Sequence, residues 1–131
     1  MNKGKLYLIP NTLGENNPFD VLPTQVKSII DSLDTFIVEN SKAARKFIKS
    51  ISPEKSQPSL TLFELNKHTQ PEDLPNFIKP CLEGKTIGLL SDAGCPGIAD
   101  PGADIVKLAH QNNIKVIPLV GPSSILLAMM A

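Results

Sequence analysis

KTIGLLSDAGCPGIADPGADIVKLAHQNNIKVIPLV, Lys85 to Val120, contains one complete strand–loop–helix–strand unit. KTIGLLSD, residues 85–92, is a short continuous apolar run of the kind that becomes a strand buried on both faces. DPGADIVKLAHQNN, residues 100–113, reads as a helix: Asp100 caps it and Pro101 takes the first helical position. Ile105, Val106, Leu108 and Ala109 then share one face. IKVIPLV, residues 114–120, is a second strand. Two apolar strands joined through a helix favour parallel pairing with a right-handed crossover.

The same alternation extends towards the N-terminus. KLYLIP (5–10) and DTFIVEN (34–40) read as strands, and SLTLFELN (59–66) alternates as a strand does. Between them, LPTQVKSIIDSL places Val26, Ile29, Ile30 and Leu33 at helical spacing. SKAARKFIKSI reads as a helix with Ser41 as N-cap and Ala44, Phe47, Ile48 and Ile51 on its core face. TQPEDLPNFIKPCLEG reads as a helix begun near Pro71, with Pro75 close to its start and Pro80 disturbing its later part. The expected fold is α/β: a mainly parallel five-stranded sheet with helices on both faces.

Composition bounds the function. The chain has 131 residues, 41% apolar and 20% charged, which suits one soluble globular domain with a real core. Thirteen basic and thirteen acidic residues cancel, so the chain as a whole has no electrostatic footprint for nucleic acid. A local basic set, Lys42, Arg45, Lys46 and Lys49, reads as a solvated helix face. The two cysteines, Cys81 and Cys95, have neither metal-ligand spacing nor a disulfide framework, and a reducing cytoplasm is the expected setting. The apolar run Leu6–Ile9 is too short for a signal peptide, and no membrane-spanning run follows. VIPLVGPSSILLAMMA stops inside an apolar helix opening, so residues 1–131 read as the first domain of a longer protein.

Ligands of parallel sheets bind outside the carboxyl ends of the strands. Three loops therefore matter: those after Pro10, Leu90 and Val120. The first, NTLGENNPF, has only Gly14, so the dinucleotide fingerprint is missing, and no Walker A sequence occurs. In SDAGCPGIADPG, Gly94, Gly97 and Gly102 permit close backbone approach while Pro96 and Pro101 stiffen the path. Asp92 either accepts from a ligand or bonds the amides of its own turn. Cys95 has no nearby histidine in sequence to lower its pKa, and His68 and His110 read as surface residues. GPSS, residues 121–124, sets Ser123 or Ser124 at a helix start, as a cap, an anion rest or both.

LLSDAGCPGIADPG, the helix after it and IKVIPLVGPSS resemble the tetrapyrrole (corrin/porphyrin) methylase family. Within it they are most similar to the branch that 2′-O-methylates a cytidine ribose in 16S rRNA. The order of β1 ending in proline, Glu39 ending β2, the Ser-Asp-Ala-Gly loop and Gly-Pro-Ser is also similar. The resemblance implies an S-adenosylmethionine-dependent methyltransferase, this chain being its N-terminal α/β domain, inactive alone, with the C-terminal domain absent. It implies cofactor contacts at Pro10, Asp92, Ala93, Gly94, Cys95, Ile98, Ser123, Ser124 and Ile125, no metal, and pairing as a homodimer. For Glu39 it suggests buried capping or a ribose contact before a role as base. The acceptor stays open between rRNA and a small tetrapyrrole, and a cofactor-binding module without turnover is the third reading. PNTLGENN after β1, VENSKAARK after β2 and Cys95 are where this chain departs from the rRNA-methylating pattern.

Overall fold

The computed structural model describes residues 3–9, 24–65, 69–90 and 102–119 of the chain. Five strands, β1 (Lys5–Ile9), β2 (Thr35–Val38), β3 (Thr61–Glu64), β4 (Ile87–Leu90) and β5 (Lys115–Pro118), form one sheet in the order β3-β2-β4-β1-β5. Every pairing in it is parallel. Helices α1 (Thr24–Ser32), α2 (Ser41–Ile51), α3 (Leu74–Leu82) and α4 (Gly102–Gln111) alternate with the strands. The expected α/β architecture is therefore observed, with a sheet that is wholly rather than mainly parallel. Among the described residues, no helix is long and apolar enough to cross a membrane.

Side-chain alternation along the strands splits the core in two. Leu6, Leu8, Ile37, Ile87, Leu89 and Val116 point to the face covered by α3 and α4, where Phe77, Ile78, Cys81, Ile105, Val106 and Ala109 meet them. Ile9, Phe36, Val38 and Leu90 point to the other face, against Val26 and Ile30 of α1 and Ala44, Phe47, Ile48 and Ile51 of α2. β4 is buried along its whole length, as its continuous apolar run requires. Leu108, expected in the core, is half-buried at its margin.

The helix ends follow local chemistry. Asn40, not Ser41, caps α2: its backbone is extended (φ −139°) and its side-chain oxygen accepts the Ala43 N–H at 3.0 Å. Ser41 is already helical, and its own N–H goes to Glu64 Oε2 at 2.9 Å. α3 begins with a 3-10 turn at Pro71–Asp73 and then runs through Pro80 for two more residues. A proline this late removes one intrahelical bond, and the helix closes before further strain accumulates. Both α3 and α4 end in Schellman motifs. In α3, Gly84 takes φ 100° while Lys85 N–H reaches Pro80 O and Gly84 N–H reaches Cys81 O. In α4, Asn113 takes φ 59°, with Ile114 N–H on Ala109 O and Asn113 N–H on His110 O.

Candidate functional site at the carboxyl edge of the sheet

Strand order fixes where a ligand can sit. The chain leaving β1 crosses over β4 to reach β2, and the chain leaving β4 crosses over β1 to reach β5. Right-handed crossovers in opposite directions put their helices on opposite faces, and α1 and α4 do lie in the two separate core layers. The topological switch point is therefore between β1 and β4, whose last residues, Ile9 and Leu90, are register partners.

β5 flanks β1 on its other side. Lys5 to Leu8 pair with Lys115 to Pro118, and Leu119 N–H continues the ladder onto Leu8 O at 3.0 Å. The three loops singled out in the sequence thus grow from three consecutive strands, β4, β1 and β5. With neighbouring strands about 4.8 Å apart, their roots fall within about 10 Å of one another. Pro10, Asp92, Ala93, Gly94, Cys95, Ile98, Ser123, Ser124 and Ile125 themselves lie outside the described residues, as do Asp100 and Pro101, the cap and first position expected for α4.

On the outer side of the edge, Val38 pairs with Leu90, which brings the end of β2 beside the switch point. Glu39 follows Val38 and is exposed. The expectation of a buried capping carboxylate fails here, because Asn40 occupies the capping position and its amide oxygen holds the helix N-terminus. Lys42, Lys46 and Lys49 are exposed along α2. Arg45 departs from the solvated face predicted for the set: its guanidinium donates to Gln57 O at 2.9 Å and tethers the segment after α2.

Two other reactive side chains sit at the opposite, amino edge. His110 is exposed in the last turn of α4. Cys81 is buried, its Sγ 3.5 Å from Lys5 O, and burial pushes its thiol up to about 11. A thiol so protonated is an inert core residue.

Sequence reading missed one feature of the carboxyl edge. Beyond β2, at the end of β3, Phe63, Glu64, Gln70, Asp73, Asn76 and Phe77 line a cavity of about 320 Å³. Phe63 and Phe77 meet edge to face, with ring centroids 6.1 Å apart. The signal in the sequence was an acidic residue ending a strand, Glu64, with an acid–amide pair in the next helix, Asp73 and Asn76. Spacing alone does not bring those together; the register of β3 with β2 does.

No protein-family model matches the chain. Curated relatives do. The chain is 32% identical over 130 residues to the Ribosomal RNA small subunit methyltransferase I of Halalkalibacterium halodurans, covering 99% of this chain and 42% of that protein. It is 30% identical to the protein of that name from Vibrio cholerae, over 96% of this chain and 41% of the relative. Against that of Leptospira biflexa it is 28% identical, over 94% of this chain and 48% of the relative. The chain thus spans less than half the length of the relatives it matches. The resemblance read from Leu89–Gly102 and Ile114–Ser124 to the rRNA-methylating branch is borne out by these names.

Proposed function

We propose that this chain, a relative of proteins named Ribosomal RNA small subunit methyltransferase I, is the methyl-donor half of an S-adenosylmethionine-dependent rRNA methyltransferase. The observation that carries the reading is the placement of the three loop roots, at Leu90, Ile9 and Leu119, on adjacent strands at the switch point. Roots about 10 Å apart would suit a nucleoside bearing a short amino-acid tail, and such a ligand asks for no phosphate fingerprint.

In this reading Pro10, the 92–98 loop and the Ser123–Ile125 turn hold the donor. Bound there, S-adenosylmethionine supplies a methyl group activated on a sulfonium. Transfer to a ribose 2′-hydroxyl forms an O–C bond as the C–S bond breaks, and the hydroxyl proton leaves to a base or to solvent. Such a displacement depends on alignment of donor and acceptor. The contribution of this chain is positional: a sheet buried on both faces fixes the loop roots. In a longer protein, the acceptor would be gripped from the residues that follow, and two copies would pair as the resemblance implies.

A backbone-amide NMR titration with S-adenosylhomocysteine tests the donor site. Shifts are expected at Ile9, Leu90 and Leu119 and in the loops they carry, with Lys5, Ile87 and Lys115 at the amino edge unmoved. A carboxyl edge that does not respond at saturating ligand sinks the reading. Methyl transfer by the longer protein to 30S subunits rather than to a porphyrinoid decides the acceptor.

A further inference from the structure

The cavity at the end of β3 lies on the same carboxyl edge as the switch point but is displaced along it. β3 is two strands from β4, about 10 Å, so an occupant sits beside the methyl-transfer cleft rather than in it. Its volume of about 320 Å³ is at the lower end of small-molecule sites. That volume suits one heterocyclic base.

The chemistry of the lining is selective. Phe63 and Phe77 supply an aromatic wall, and Phe77 is largely buried and so fixed. Glu64 and Asp73 present carboxylates, and Gln70 and Asn76 present amides. Glu64 is held in place by the Ser41 N–H at the start of α2. Among the described lining residues there is no lysine or arginine to neutralise a phosphate. Unstacked RNA bases are read on aromatic rings and by hydrogen bonds to their edges. A carboxylate accepts from the amino group of cytosine or adenine and opposes the carbonyl that uracil has instead.

We propose that this cavity is a base-recognition subsite for single-stranded RNA, taking an amino-bearing base that flanks the methylated nucleotide. The proposal rests on the rRNA reading above. It makes the subsite a source of sequence selectivity, with affinity coming from elsewhere on the strand.

The test is an amide NMR titration of the chain with the oligoribonucleotides C5 and U5, alongside S-adenosylhomocysteine. Expected are shifts at Phe63, Glu64, Asn76 and Phe77 with C5, and binding about tenfold weaker with U5. Asp73→Asn, an exposed substitution, should shrink that preference to about twofold while leaving the S-adenosylhomocysteine response unchanged. Equal response to C5 and U5 at these four residues, or RNA-induced shifts confined to other residues, overturns the subsite and leaves the rRNA reading standing. No response to either oligonucleotide, with S-adenosylhomocysteine still bound, overturns the subsite, while the rRNA reading is decided separately by methyl transfer to 30S subunits.

Discussion

The Glu64 carboxylate accepts the backbone N–H of Ser41 at 2.9 Å, and this bond ties the end of β3 to the first turn of α2. A carboxylate at that place satisfies one of the helix's unpaired N–H groups and complements its dipole. The Ser41 backbone, then its hydroxyl, hold the Glu64 carboxyl below its ordinary value of 4.5. A depressed value means that the stabilisation is fully present above about pH 4.5 and is lost as pH falls through the folded-state value. Glu64→Gln should therefore lower stability at neutral pH and make little difference near pH 3. Urea unfolding of both proteins across that range checks it, and a gap that is unchanged at the acid end refutes it.

Asn40 carries the cap that the sequence assigned to Ser41. Asn40→Ala should cost about 1 kcal/mol, and Asn40→Asp should stay within a few tenths, because a carboxylate caps as well as an amide oxygen. Glu39→Ala, one residue earlier and exposed, should stay within about 0.5 kcal/mol. Thermal melts of the three variants separate a cap at Asn40 from one displaced along the chain.

The helical faces and the parallel strands were legible because they rest on periodicity. Ala44, Phe47, Ile48 and Ile51 are all buried, and β4 is enclosed on both faces. The cap of α2 was not legible, since Asn40 and Ser41 are both good caps and only the backbone angle chooses between them. Likewise Pro80 reads as disturbing the later part of its helix, yet a helix that closes two residues later, into a glycine Schellman turn, tolerates it. The switch point needed strand order. Local sequence nominates the three loops, but only the pairing of β1 between β4 and β5 brings their roots together. The β3 cavity is still less local, because its walls come from a strand and from the helix after it.

Gly4 is closed to any side chain. A Cβ there would overlap the carbonyl of Lys85, a backbone atom that cannot turn aside, and Gly4 N–H already donates to Cys81 O at 2.7 Å. Gly4→Ala should cost about 2 kcal/mol or more, at the upper end of overpacking effects. A variant as stable as the parent in denaturant would show that the strand start yields more easily than this packing implies.

Asn113 sets the stability of the amino edge apart from the donor site proposed at the carboxyl edge. Its left-handed backbone, φ 59°, closes the Schellman turn that leads α4 into β5. Asn113→Ala should cost about 1 kcal/mol, since alanine lacks the local bonding that lets asparagine accept this conformation. Asn113→Gly should be neutral or mildly stabilising. β5 rises about 3.3 Å per residue, which puts Asn113 more than 10 Å from the loop roots at the far end of the sheet. Ligand stabilisation depends only on concentration and affinity for the folded state. S-adenosylhomocysteine should therefore add the same increment of stability to Asn113→Ala as to the parent, on a lower baseline. Melts with and without ligand read both terms at once. An increment that shrinks in Asn113→Ala would mean that the two edges of the sheet are coupled, and that the donor site is not a property of the carboxyl edge alone.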